Sequence, residues 1–270
     1  MNAKNSEKVI SKMRRVGQLT AEILALACAA VKEGMCTWDL EEIVVHELEI
    51  RGATGPCYHY VSGDEGVPFP AHICVSINDE VVHGIPRKDR FIRNGDVVSL
   101  DLVVHYDGFM GDSTRTVTVG KVSSRKKELL QVTEQALRAG IEKAVEGNHV
   151  GDISYAIQRC AEKARLGIVR ELVGHGIGKD MHEPPAIPNW GKRGSGPMLV
   201  AGMTIAIEPM FMLGGDDICV SKEDGWTVRT ADGGCAAHCE HTVLVTKNSP
   251  EVLTSYEKVC LSTGSQRFAK

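Results

Sequence analysis

The sequence lacks the features that would place the protein in a membrane, on nucleic acid or behind a targeting signal. Its longest nearly apolar run, residues 21–31, is interrupted by Glu22 and is too short to span a bilayer. No block of like charges appears, the formal net charge is only −4, and no hydrophobic targeting core follows the first residues. We therefore expect a cytoplasmic protein with no membrane partner and no nucleic-acid partner.

The nine cysteines do not form the pattern of a disulfide framework. Their number is odd, no C-x-x-C pair occurs, and several of them, such as Cys28 and Cys74, lie inside apolar runs. This usage favours reduced, buried thiols. With 43% apolar and 24% charged residues, the chain of 270 residues has the composition of a globular protein that can bury its own core.

Hydrophobic periodicity predicts two helices followed by strands, and then the same order again. The helices are expected at residues 6–32, 38–50, 124–145 and 152–164. The strands are expected at residues 73–77, 97–106, 115–119, 169–173, 203–213, 226–230 and 242–246.

Two pairs of matching segments indicate that this repeat is an internal duplication. EGMCTWD at residues 33–39 matches EGNHVGD at 146–152, and GDVVSLD at 95–101 matches GMTIAIE at 202–208. We predict an α+β fold with pseudo-twofold halves at about 6–120 and 121–250, with strands inside and helices on the outer face. No linker separates the halves, so residues 1–270 are expected to form one domain.

Two aspartates in the first half point to a cation. Asp107-Gly108 between two strand-like runs predicts a two-residue hairpin turn, which makes Asp112 the diagonal neighbour of Asp101, about 5–8 Å away. Carboxylates this close repel one another unless a cation lies between them. For either residue alone, an aspartate bound to a turn backbone is an equally good interpretation.

Three more polar residues lie in apolar segments of the second half, namely His175, Glu208 and Glu240. A lone histidine is more often a satisfied core residue than a ligand, but four carboxylates and one histidine in apolar strands are hard to accommodate without metal. Such oxygen-rich donor sets suit Mn²⁺, Fe²⁺, Co²⁺ or Zn²⁺. Two ions that share carboxylates would supply a water-derived nucleophile at neutral pH.

Three other motifs are weaker indicators of a binding site. The glycine-rich GHGIGK at residues 174–179 does not match a phosphate-binding loop, and the helix that would continue from His182-Glu183 is stopped by two prolines. A zinc site formed by Cys235, His238, Cys239 and His241 stays open, although strand alternation would turn His238 away from the other three.

Six motifs, in order along residues 6–254, make the chain resemble the type I methionine aminopeptidases of the pita-bread metallopeptidase superfamily. They are NDEVVHGIP at residues 78–86, SLD ending at Asp101 with the following Gly111-Asp112, GHGIG at 174–178, MHEPP at 181–185, IEP at 207–209 and CEHT at 239–242. Only 32 residues separate His175 from Glu208, which leaves no room for the helical insertion of type II enzymes.

The resemblance implies a pita-bread fold with a dinuclear metal centre that removes the initiator methionine from nascent proteins, at the ribosome, when the second residue is small. It implies a monomer that uses two divalent ions (Co, Mn, Fe or Zn). The implied metal ligands are Asp101, Asp112, His175, Glu208 and Glu240, with Asp112 and Glu240 touching both ions. The implied catalytic residues are His83, His182 and Glu208, with both histidines also binding substrate. The implied methionine pocket consists of Cys57, Tyr60, Phe69, Cys74, Met181 and Trp226.

This chain departs from the family pattern at the methionine pocket. It carries about six extra residues between Tyr60 and Cys74, and Phe69 and Met181 stand where the family often has tyrosine and phenylalanine. Two other classes of function stay open. A sister peptidase that cuts Xaa-Pro bonds would share the five ligands, whereas a binding module that had lost catalysis would lack one or more of them.

Overall fold

The computed structural model describes residues 6–61 and 66–256, which form four helices and fourteen strands. The helices are α1 Glu7–Ala30, α2 Thr37–Ile50, α3 Ser124–Ile141 and α4 Val150–Ala164. The strands of the first half are β1 Cys74–Ile77, β2 Glu80–Val82, β3 Val97–Tyr106 and β4 Phe109–Thr118. Those of the second half are β5 Gly167–Ile168, β6 Val173–Gly176, β7 Glu183–Pro188, β8 Thr204–Ile207, β9 Met210–Met212, β10 Ile218–Val220, β11 Val228–Thr230, β12 Ala236–His238, β13 His241–Leu244 and β14 Glu251–Val252.

The helices cover the outer faces of the sheets, as the amphipathic pattern predicts. Helix α1 packs on the β3–β4 hairpin, while α3 and α4 pack on each other and on strands of the second half. The side-chain hydroxyls of Ser6 and Ser123 begin α1 and α3 by accepting hydrogen bonds from the backbone N–H groups of Val9 and Lys126. One apolar core lies beneath α1 and α2 and a second lies beneath α3 and α4.

The start of the second helix in each half reveals the duplication in atomic detail. The backbone N–H of Cys36 donates to Asp39, and the backbone N–H of His149 donates to Asp152 in the same way. These are the residues that align at the constant spacing seen in the sequence. The predicted repeat of two helices followed by strands is therefore confirmed, while the assignment of the whole chain to one domain stays a prediction.

The two halves meet where β4 lies beside β13. The backbone N–H of Glu240 donates to the carbonyl of Thr114 at 2.9 Å, and the hydroxyl of Thr242 donates to the carbonyl of Asp112 at 2.8 Å. On the two sides of this seam lie a three-stranded sheet of order β1-β3-β4 and a five-stranded sheet of order β14-β13-β8-β6-β7. Carboxylates from both sheets are thereby brought to one place.

The β3–β4 hairpin has the predicted register. Asp101 pairs with Thr114, and Asp112 pairs with Val103, which makes Asp101 and Asp112 diagonal neighbours on one face. Asp107 and Gly108 both have positive φ angles, of 51° and 80°, as a type I′ turn requires. Aspartate and glycine tolerate this conformation better than other residues.

The predicted strand at residues 203–213 is wrong as a continuous element, because it breaks at Glu208-Pro209 into β8 and β9. Proline has no N–H for a sheet ladder, so β8 ends just before it. The freed carbonyl of Glu208 instead accepts a hydrogen bond from the side-chain amide of Asn189 at 3.1 Å. The strand predicted at 169–173 is likewise replaced by β5 and β6 on its two sides.

Two further observations concern membrane-spanning helices and the state of the cysteines. In the two described ranges, no helix combines the length and apolar character needed to cross a bilayer. The eight cysteines in those ranges are free thiols, and the ninth, Cys260, lies outside the described residues.

Candidate metal centre

A cavity of about 270 Å³ lies beside the seam between the two halves. One end is lined by carboxylates and imidazoles, and the other end by apolar side chains and thiols. All residues predicted for the site line this cavity: Cys57, Tyr60, Phe69, Cys74, His83, Asp101, Asp112, His175, Met181, His182, Glu208, Trp226 and Glu240.

Strand geometry places the four carboxylates. Asp101 and Asp112 project from the same face of the β3–β4 hairpin. In the second half, the last pair of the β8–β13 ladder is Ile207 with His241, so the adjoining residues Glu208 and Glu240 lie side by side just past its end. The Pro209 break therefore positions Glu208 at the edge of the cavity.

Three of these side chains lie close enough to share an ion. One ligand atom each of Asp112, His175 and Glu240 fall within 4.8 Å of one another. His175 Nε2 lies 3.8 Å from Asp112 Oδ2 and 3.6 Å from Glu208 Oε1. Because His175 Nδ1 is 2.9 Å from the carbonyl of Gly176, which can only accept, Nδ1 carries the proton and the Nε2 lone pair faces the carboxylates.

Buried carboxylate oxygens without partners show that the polypeptide alone does not satisfy this cluster. Oδ1 of Asp112 and Oε1 of Glu240 are buried and accept no hydrogen bond from the residues that the structure describes, whereas Oε2 of Glu240 accepts one from the hydroxyl of Thr114 at 2.9 Å. Burial raises the pKa of Asp101, Asp112, Glu208 and Glu240, and repulsion from neighbouring carboxylates raises it further for Asp112, Glu208 and Glu240. A divalent cation would satisfy these oxygens, so the residues present fit a divalent metal.

Two histidines stand between the carboxylates and the apolar end. Nδ1 of His182 lies 3.0 Å from the hydroxyl of Tyr60, and its ring is exposed to solvent on one side. Burial lowers the pKa of His182, and burial followed by the charges of His238 and His182 lowers the pKa of His83 to about 4. Both rings are therefore neutral at pH 7 and available as hydrogen-bond partners.

The apolar end is built on Trp226 and Phe69. The centroids of their rings lie 5.3 Å apart in an edge-to-face arrangement, and Cys57 and Cys74 pack with them. The indole N–H of Trp226 donates to the carbonyl of Val67 at 2.7 Å, which ties the predicted insertion to this wall. Residues 62–65 of that insertion lie outside the described residues.

One residue of the cavity was missed as a site residue. His238 is 2% exposed, and its Nε2 lies 3.5 Å from Glu208 Oε2. Strand alternation, which argued against the Cys/His zinc site, also places residues two apart on one face, so it could have grouped His238 with Glu240. The zinc site itself does not form, since His241 turns away and its Nδ1 lies 2.9 Å from the hydroxyl of Thr254.

Comparisons with known proteins agree with this geometry. Residues 11–247 match metallopeptidase family M24. The chain is 46% identical to a methionine aminopeptidase of Aquifex aeolicus over 253 residues, covering 92% of this chain and 97% of the relative. It is 43% identical to a methionine aminopeptidase of Clostridium acetobutylicum over 248 residues, covering 92% and 96%.

Solved structures confirm the predicted pita-bread fold. The crystal structure of methionine aminopeptidase from Rickettsia prowazekii superposes with a TM-score of 0.90 at 41% identity, covering 94% of this chain and all of that one. A prolidase from Pyrococcus furiosus shares the fold at 21% identity and a TM-score of 0.73, with 93% of this chain and 65% of that one covered. The chain therefore belongs to metallopeptidase family M24.

Proposed function

We propose that this chain acts as a type I methionine aminopeptidase, which removes the initiator methionine from nascent proteins when the second residue is small. The main support for this proposal is that two features occur in one cavity. A buried cluster of carboxylates and an imidazole lies next to an apolar pocket, in a chain that matches methionine aminopeptidases over nearly its whole length.

We further propose that the centre holds two divalent ions, bound by Asp101, Asp112, His175, Glu208 and Glu240. Four carboxylates carry four negative charges, which two divalent ions would balance and one would not. Divalent ions bound there would act as a Lewis acid on the scissile carbonyl and lower the pKa of a bound water. The donor set is compatible with Co²⁺, Mn²⁺, Fe²⁺ or Zn²⁺.

Glu208 is proposed to accept the proton of the attacking water. Its carboxyl group lines the cavity, where it could take up the proton of a water bound beside it. Its position at the Pro209 break leaves both carboxylate oxygens at the cavity edge, where Oε1 faces His175 and Oε2 faces His238.

His182 is proposed to stabilise the carbonyl oxygen as it gains negative charge. If the hydroxyl of Tyr60 donates to Nδ1, the neutral ring carries its proton on Nε2 and can donate it to that oxygen. Tyr60 would thus select the useful tautomer of His182. Hydrogen bonds to a developing oxyanion strengthen in the transition state, which is why they raise kcat.

His83 is proposed to contact the amide nitrogen of the scissile bond and to assist proton transfer to the leaving amine. The centroid of its ring lies 5.9 Å from that of Trp226, and His83 lines the same cavity as the carboxylates. A bond whose methionine side chain occupied the pocket would lie beside this ring.

The cavity itself argues for the methionine specificity. Its volume of about 270 Å³ lies near the lower end of the range of about 300–1,000 Å³ for small-molecule pockets, which is compatible with one bound side chain. Its apolar end offers thiols and aromatic edges, which pack well against a thioether sulfur. No lysine or arginine lines the cavity in the described ranges, so the lining side chains there add no cationic group beside the N-terminus of a bound substrate.

The experiment that tests the proposal measures metal and substrate dependence together. Protein stripped by a chelator should not hydrolyse Met-Ala-Ser, and added Co²⁺ or Mn²⁺ should restore hydrolysis. Substrates with N-acetyl-methionine should resist cleavage, and Ala-Pro should be a poor substrate. Efficient cleavage of Ala-Pro would favour an Xaa-Pro peptidase, and an intact metal centre without hydrolysis of either substrate would favour a binding module.

The setting of this activity is also a proposal. Removal of an initiator methionine requires access to nascent chains in the cytoplasm, close to the ribosome. The chain is proposed to act as a monomer, since the site is assembled from the two halves of one polypeptide.

A further inference from the structure

His238 is a buried histidine whose ring has no hydrogen-bond partner within residues 6–61 and 66–256. It ends β12, is 2% exposed and lines the cavity. Neither Nδ1 nor Nε2 is hydrogen-bonded to any of the residues that the structure describes. Burying a polar group without a partner is costly, so this ring is expected to bind something that the polypeptide does not supply.

The backbone of His238 is held by two hydrogen bonds to the hydroxyl group of Thr116. Its N–H lies 3.1 Å from the hydroxyl oxygen of Thr116, and that hydroxyl donates to the carbonyl of His238 at 2.6 Å. Its strand partner is Met210, two residues beyond Glu208. The sheet therefore sets the direction of the Cα–Cβ bond of His238, and the side chain lines the cavity.

The spacing around Glu208 matches that of metal ligands. Oε2 of Glu208 lies 3.5 Å from His238 Nε2, and Oε1 lies 3.6 Å from His175 Nε2. These separations exceed the 2.7–3.2 Å typical of an N–H···O hydrogen bond. They match roughly 3–3.6 Å, the separation of two donor atoms that each lie about 2.0–2.2 Å from one ion.

We propose that His238 is an additional metal ligand, binding through Nε2 an ion on the Asp101 side of Glu208. His238 and Asp101 both line the cavity, and β12, which His238 ends, packs against β3, which carries Asp101. Glu208 then lies between two imidazoles, one facing each of its oxygens. The inference rests on the proposed function only in that a metal centre forms in this cavity.

A second imidazole would change which metal the site prefers. Nitrogen ligands favour Co²⁺ and Zn²⁺ relative to Mn²⁺, which is better suited by oxygen ligands. Replacing His238 by glutamine keeps a polar side chain but offers an amide in place of the imidazole. His238→Gln should therefore weaken Co²⁺ binding at least about tenfold and shift the Co²⁺-to-Mn²⁺ affinity ratio toward Mn²⁺.

The direct test measures how many histidine side chains bind Co²⁺ in each chain. Metal-free wild-type and His238→Gln proteins are loaded with two equivalents of Co²⁺, and X-ray absorption determines the histidine nitrogens bound per chain. We expect two for the wild type and one for the variant, with a matching change in the visible Co²⁺ spectrum. The control is His241→Gln. His241 is a half-buried histidine three residues away, and its Nδ1 lies 2.9 Å from the hydroxyl of Thr254, so this variant should match the wild type.

The possible outcomes distinguish a failure of this inference from a failure of the proposed function. Equal imidazole counts in wild type and His238→Gln would overturn the inference while leaving the metal centre intact. A wild-type chain that binds no metal would instead contradict the proposed function. Should His238→Gln fail to fold, His238→Ala supplemented with free imidazole gives a second measurement, since restored Co²⁺ binding is expected only if the missing group was a ligand.

Discussion

The hydroxyl of Thr114 donates a 2.9 Å hydrogen bond to Oε2 of Glu240 across the seam between the two halves. Thr114 is also the cross-strand partner of Asp101, so one side chain contacts carboxylates contributed by both halves. Its bond leaves the other oxygen of Glu240, Oε1, free to face the cavity. Groups that orient a metal ligand in this way contribute to metal affinity as well as to stability.

Thr114→Val should therefore weaken metal binding about 10- to 100-fold, because Glu240 loses the bond that orients it. Calorimetric titration of metal-free protein with Co²⁺ measures this effect. Thr118→Val, at the exposed end of the same strand, is the matched control. An affinity unchanged in both variants would show that Thr114 does not orient the ligand.

Asp112→Ala should abolish both metal binding and activity. The change removes a carboxylate at the centre of the cluster and leaves Asp101 and Glu240 repelling one another across the emptied site. Metal analysis of the purified variant, together with hydrolysis of Met-Ala-Ser, checks both effects. Retention of full metal content would mean that Asp112 is not a shared ligand.

His182→Ala and His83→Ala should lower kcat without loss of metal, unlike Asp112→Ala, which should lose both metal and activity. Each loses a hydrogen bond that matters during the reaction and leaves the carboxylates in place, so metal content should stay near that of the wild type. We expect kcat to fall about 10²–10³-fold for His182→Ala and about 10²-fold for His83→Ala. Loss of metal from His182→Ala, or an unchanged kcat, would contradict the role proposed for His182.

Tyr60→Phe tests whether Tyr60 acts through His182. Removing one neutral hydrogen bond should lower kcat by up to about tenfold, with metal content unchanged. The double variant Tyr60→Phe/His182→Ala should be no slower than His182→Ala alone, because the two residues share one interaction. Additive losses in the double variant would indicate that Tyr60 acts separately, for example on the methionine side chain.

The stability of the metal-free protein should fall as pH rises above 6.5, and bound metal should prevent this. Burial raises the pKa of Asp112, Glu208 and Glu240, so the folded state keeps protons that the unfolded state releases above about pH 4. Stability is then lost as pH rises toward the raised values, by about 1.4 kcal/mol per pH unit for each retained proton.

The histidines act in the opposite direction, but only at lower pH. The pKa values of His83 and His175 fall from 6.5 to about 4, so they add stability as pH rises from 4 to 6.5 and nothing above it. The measurement compares Tm with and without Co²⁺ from pH 6.5 to 7.5, where most thiols of the unfolded chain are still protonated. We expect the gain in Tm from metal to grow with pH; a constant gain would show that these carboxyl groups are already ionised without metal.

Short-range patterns in the sequence determined much of this protein. The Asp-Gly turn sets the register of β3 and β4, and alternation along two strands then places Asp101 and Asp112 on one face. The duplication was visible because the same N–H-to-aspartate contact begins a helix in each half. These features depend on residues close together in the chain, which is why the sequence alone could reveal them.

Only the tertiary structure decided how the second half meets the first. The break at Pro209 set the position of Glu208, and the seam between β4 and β13 brought Glu240 against Thr114 and Asp112. From the sequence, His238 was considered only for a Cys/His zinc site; it became a candidate ligand of this centre because its Nε2 lies 3.5 Å from Glu208 and its ring has no hydrogen-bond partner among the described residues. Alternation indicates which face of a strand a residue occupies. What that face meets depends on packing between segments far apart in the chain, which no local pattern encodes.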